Sequence, residues 1–74
     1  MAMSRRFFQN LAADMKARRP DRANFSAEEY SLVMSAWVDM VLGTSSVIQS
    51  EAPSFNRARF LDAAGFPAEL LQHV

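Results

Sequence analysis

Residues 26–42 read Ser26-Ala27-Glu28-Glu29-Tyr30-Ser31-Leu32-Val33-Met34-Ser35-Ala36-Trp37-Val38-Asp39-Met40-Val41-Leu42. The first four residues match a capping box. The Ser26 hydroxyl is placed to accept from the Glu29 amide, and the Glu29 carboxylate to reach back to the Ser26 amide. Phe25 and Tyr30 flank the cap as a hydrophobic staple. Glu28 and Glu29 also suit the positive end of a helix dipole. That structural task argues against a catalytic carboxylate pair here. From Tyr30 onward the stretch is apolar over most of a helical circumference. Tyr30, Val33, Met34, Trp37 and Val41 share one face, with Leu32, Ala36 and Met40 on a flank and Val38 and Leu42 beyond. Ser31, Ser35 and Asp39 form the polar line. A helix so apolar is buried or shared with a partner. The spacing therefore predicts a central helix over about 27–42, with Trp37 in the core.

Gly43-Thr44-Ser45-Ser46 leaves two paths open. Gly43 ends the helix in a left-handed conformation, and a short piece over about 46–51 carries Val47 and Ile48 inward. Alternatively the helix runs on through Gly43 with a kink. Upstream, Ser4 caps a helix over about 4–18, where Phe7, Phe8, Leu11, Ala12 and Met15 make an apolar stripe. Pro20 stops it. Downstream, Ala52-Pro53-Ser54 interrupts the pattern and Asn56 caps a helix over about 57–64. Gly65 is placed as its terminating glycine, with Phe66 positioned to touch Leu61. Pro67 opens a final turn over about 68–72, where Leu70 and Leu71 pack back. Period-two alternation is absent. The expectation is one all-α domain over 1–74, a small bundle of three main helices plus one or two short turns.

Composition narrows the function. The 74 residues contain no cysteine, two glycines and one histidine. This excludes disulfides, cysteine-based zinc sites and thiol chemistry. The two glycines sit at expected helix ends, so there is no glycine-rich phosphate loop. His73 stands near the end of the sequence with no nucleophile beside it. The expectation is a protein without catalysis, metal or cofactor. The basic start is followed by no long apolar run, unlike a signal peptide. An uncharged run such as Tyr30 to Val38, which Asp39 ends, is far short of the roughly 20 residues of a spanning helix. The first helix, with Phe7 and Phe8 opposite basic residues, has the look of an interfacial helix, but so small a core needs that stripe. A soluble, cytoplasmic protein that does not engage membranes is expected.

Eight Lys and Arg balance eight Asp and Glu. The distribution is uneven. Arg5, Arg6, Lys16, Arg18, Arg19 and Arg22 crowd the first 22 residues, against Asp14 and Asp21. Residues 23–51 carry only Glu28, Glu29, Asp39 and Glu51. The basic residues, joined by Arg57 and Arg59 at a helix start, are the candidates for nucleic-acid contact. A net charge of zero counts against a dedicated nucleic-acid binder. The five methionines and the apolar excess of the central helix favour protein binding. Met40, Leu42 or Leu32 left exposed would mark a homodimer or partner interface. Glu28, Asp39 and Glu51 would face a basic partner channel.

The stretch Pro53-Ser54-Phe55-Asn56-Arg57-Ala58-Arg59-Phe60-Leu61-Asp62-Ala63-Ala64-Gly65 resembles a C-terminal segment recurring in small proteins of phages, plasmids and other bacterial mobile elements. Ala52 stands where that pattern has asparagine, Asn56 where it has aspartate and Ala64 where it has cysteine. The resemblance implies a helix module, one that carries no known activity. It implies a protein that acts in a bacterial host by sterically blocking a bacterial target. Inhibitors of host defence such as anti-CRISPR proteins are similar in kind. A small nucleic-acid-binding accessory or regulatory protein is the alternative. Arg57 and Arg59 are the two members that folding alone leaves unexplained.

Overall fold

The computed structural model describes residues 4–71. His73 and the end of the final turn at Gln72 lie outside the described residues. Within them the chain is all-α, without strands. Helix α1 spans Arg5–Ala17, α2 spans Ala27–Glu51, α3 spans Arg57–Ala63 and α4 spans Ala68–Leu71, with a 3-10 turn at Arg22–Asn24. The sequence reading had no place for that turn. The Asp21 carboxylate caps it by accepting from the Ala23 amide at 3.0 Å.

The local signals fold as their chemistry dictates. The Ser4 hydroxyl accepts from the Phe7 amide at 3.1 Å and starts α1. Both halves of the Ser26–Glu29 capping box form, at 2.9 and 3.2 Å. The Asn56 side chain accepts from the Arg59 amide at 3.0 Å and starts α3. At the end of α3 the Gly65 amide donates to the Asp62 carbonyl and the Phe66 amide to the Leu61 carbonyl. This is the double closure of a Schellman turn, and it requires the left-handed φ of 79° that Gly65 adopts.

The path through Gly43 is resolved in favour of one helix of 25 residues. Val41 and Ser45 are fully buried and Ile48 nearly so, on the same face either side of Gly43. Burying Val41 and Ile48 returns about 1.5–3 kcal/mol each. A mid-helix glycine costs only about 1 kcal/mol. Core burial therefore holds the helical phase across Gly43. The continuous phase also corrects the placement of Val47. It lies one residue, hence about 100° of rotation, from the inward Ile48, and it points outward at 64% exposure. Run together, α2 is long and apolar enough by length and composition to cross a membrane, unlike the interrupted segment read from the sequence. Its inner face is nevertheless a wall of the core.

That core gathers Ala12 and Met15 from α1, Trp37, Val41 and Ile48 from α2, and Phe60, Leu61, Ala64 and Phe66 from α3 and its closing turn. Phe8, Leu11, Phe55 and Leu71 pack around it. The Trp37 indole donates to the Met15 carbonyl at 3.0 Å and fastens α1 to the middle of α2. Phe8 and Phe55 rings meet at 4.9 Å near the other end of α1. Phe7, read as part of the stripe, is about half exposed, and so in lesser degree is Leu70. Helix α1 is about 20 Å long and α2 about 37 Å, so the longer helix outruns its cover. The molecule is elongated, 42 × 23 × 16 Å.

Candidate functional site

The side of α2 turned away from the core carries Leu32, Ala36, Met40, Gly43 and Val47. All five are exposed, Leu32 by 73% and Met40 by 40%. At 100° per residue they fall within an arc of about 80° over about 22 Å of helix. Surface apolar residues scattered singly are ordinary, whereas these five adjoin one another along the helix. Glu28, Asp39 and Glu51 are exposed along or beside this strip. No base appears between residues 23 and 56, so the helix presents one sign of charge.

The six partner-binding residues expected from sequence therefore separate. Leu32, Met40, Glu28, Asp39 and Glu51 reach the outer side of α2. Leu42 is half-buried and packs against the core cluster. Val47 and Gly43, which the sequence reading assigned elsewhere, complete the strip. Their signal was the uninterrupted helical phase, which is visible only once the helix is known to pass Gly43.

The basic residues take several different partners. The Arg18 guanidinium pairs with Asp14 at 2.8 Å, on a surface where such a pair contributes little. Its hydrogen bond to that carboxylate, and then the carboxylate's charge, hold Arg18 above its ordinary pKa. Arg19 lies 5.9 Å from the Trp37 ring and Arg22 5.3 Å from the Tyr30 ring. The Lys16 stem runs against Gly65. Arg57 departs furthest from a solvated helix face. Half-buried, it donates from Nε to Ser45 Oγ at 2.9 Å and from Nη2 to the Leu42 carbonyl at 3.2 Å. Ser45 Oγ in turn donates to the same carbonyl at 3.0 Å. Arg57 thus clamps the start of α3 to the middle of α2, and folding explains it. Arg5, Arg6 and Arg59 stay exposed on the surfaces of α1 and α3.

Beside the strip lies an open groove of about 490 Å³, floored by Tyr30, Met34, Val38 and Leu70, with Arg22 and Glu69 among its lining. The Glu29 carboxyl is held below its ordinary range, by the hydrogen bond from the Ser26 amide and then the Ser26 side chain. That is the chemistry of a helix cap. Among the described residues no three metal-ligating side chains converge. Comparison with protein-family models, curated proteins and solved structures returns no match.

Proposed function

We propose that the chain is a non-catalytic protein-interaction module that covers a partner surface with the outer face of α2. One observation supports this reading above others: Leu32 and Val47, two of the most hydrophobic side chain types, are 73% and 64% exposed on the same side of one long helix. Burying Leu32, Met40 and Val47 returns about 4–6 kcal/mol. That meets only the low end of the roughly 4–15 kcal/mol lost on association. On its own that burial falls short of even a millimolar association, which needs a net of about 4 kcal/mol, so the partner's own apolar surface and flanking contacts have to supply the rest.

The finer form of the proposal is a mobile-element protein that sterically blocks a bacterial target, in the manner of inhibitors of host defence. It draws on the resemblance of residues 53–65. The test is recovery of partner from bacterial lysate, with nuclease, by the wild-type chain, Leu32→Glu and a reversal of Arg5 and Arg6 to Glu. Loss of a nuclease-resistant partner with Leu32→Glu alone is expected. Recovery that disappears with nuclease or with the arginine reversal would replace this reading by nucleic-acid binding.

A further inference from the structure

We infer that the outer face of α2 first takes a second copy of this chain, the two helices antiparallel about a two-fold axis between residues 39 and 40. This deepens the interaction reading by naming an occupant of the same face.

Three observations carry it. The first is area. The molecule exposes 5475 Å², whereas a monomer of 8.3 kDa is expected to expose about 4,600 Å². Its radius of gyration is 13.0 Å, against about 11 Å for a compact chain of this length. That excess of about 900 Å² belongs to the elongated molecule as a whole, and of the six large hydrophobic side chains left exposed among the described residues three, Leu32, Met40 and Val47, lie on this one face.

The second is self-complementarity. A closed two-fold interface must match its own reverse. About that axis Leu32 falls opposite the second copy's Val47, and Ala36 opposite the second copy's Gly43. Large apolar residues meet at the two ends and small ones between them. Met40 lies beside the axis and meets its own counterpart.

The third is Gly43. A Cβ added there would meet nothing within 4 Å. The fold of one copy thus gains nothing from a glycine that weakens the helix. A second helix approaching over Ala36 and Gly43 supplies what the single copy lacks, a neighbour close enough to need a missing side chain.

Electrostatics sets the sign of a further effect. Each α2 is wholly acidic, and the two Asp39 side chains fall on the same side of the axis. Their repulsion opposes pairing and is screened by salt. Self-association should therefore strengthen with added salt and with Asp39→Asn. Binding of a basic partner to the same acidic helix would weaken with salt.

The experiment is sedimentation of the full 74-residue chain from micromolar to near-millimolar concentration, at low and high salt. A reversible shift from 8.3 kDa to twice that mass is expected, favoured by salt. Leu32→Glu and Gly43→Leu should each weaken it at least tenfold while helical circular dichroism is retained. The chain has no cysteine, so register is read by mixing Leu32→Cys with Val47→Cys. The mixture should cross-link on oxidation, and neither variant alone should do so. A monomer throughout, or a dimer indifferent to Leu32→Glu, overturns the inference. So does a monomer that sediments only with phosphatidylcholine vesicles. A monomer whose lysate partner is still lost with Leu32→Glu overturns the second copy and leaves the interaction reading intact. A dimer whose partner recovery ignores Leu32→Glu does the reverse.

Discussion

Arg57 and Arg59 stand two residues apart, and their surroundings assign them different consequences. Arg57 bridges Ser45 and Leu42 on α2, and Ser45 is fully buried. Arg57→Leu removes charge-assisted bonds and should lower stability by about 1–2 kcal/mol in urea unfolding. Arg59→Ala lies on the surface and should fall within about 0.5 kcal/mol of wild type. Glu29 gives a pH effect whose sign follows from its cap. Its pKa is depressed in the folded chain, so its stabilisation is present above the ordinary glutamate range and is lost as pH falls through the folded value. Glu29→Gln should flatten the acid limb of the stability profile and leave the alkaline limb unchanged. The caps at Ser4, Ser26, Asn56 and Gly65 were legible in sequence because their partners lie within three to five positions. The Arg57 clamp was not, because its acceptors lie twelve and fifteen residues away, on another helix.

At the scale of the element, α2 decides the fold. Its start was legible from the capping box and its inner face from the spacing of Tyr30, Met34, Trp37 and Val41. Its end was not. Gly43 is a strong local stop, and only burial of Val41, Ser45 and Ile48 against α1 and α3 carries the helix to Glu51. The same burial turns Val47 outward, so the path left open at Gly43 also decided the surface composition. Gly43→Ala tests the account. The new methyl group meets open space within one copy and replaces the poorest ordinary helix former with the best. The single chain should gain about 0.5–1 kcal/mol, measured by urea unfolding at low protein concentration. Strain or a kink at Gly43 would instead make the substitution neutral or harmful.

At the scale of the whole molecule, the elongated shape follows from unequal helix lengths. A helix of 13 residues cannot cover one of 25. The side of α2 turned away from the core leaves an apolar strip bare on an acidic helix, while the basic residues of positions 5–22 meet a carboxylate, two aromatic faces and open solvent. The positive half read from sequence takes several different neighbours, and the Lys16 and Arg19 side chains come together beside Gly65. Met40 and Leu32 were legible as members of an exposed surface. Leu42 was misplaced because its rotation about the helix turns it toward the core flank. The central claim is that the outer face of α2 is the surface through which the chain associates. The most direct measurement is a series of two-dimensional amide NMR spectra of the isotope-labelled chain over a dilution range. The account predicts concentration-dependent shifts centred on Leu32, Ala36, Met40, Gly43 and Val47, with α1 unmoved. Shifts centred on Arg5 to Arg22, or spectra independent of concentration and of added lysate partner along α2, would contradict it.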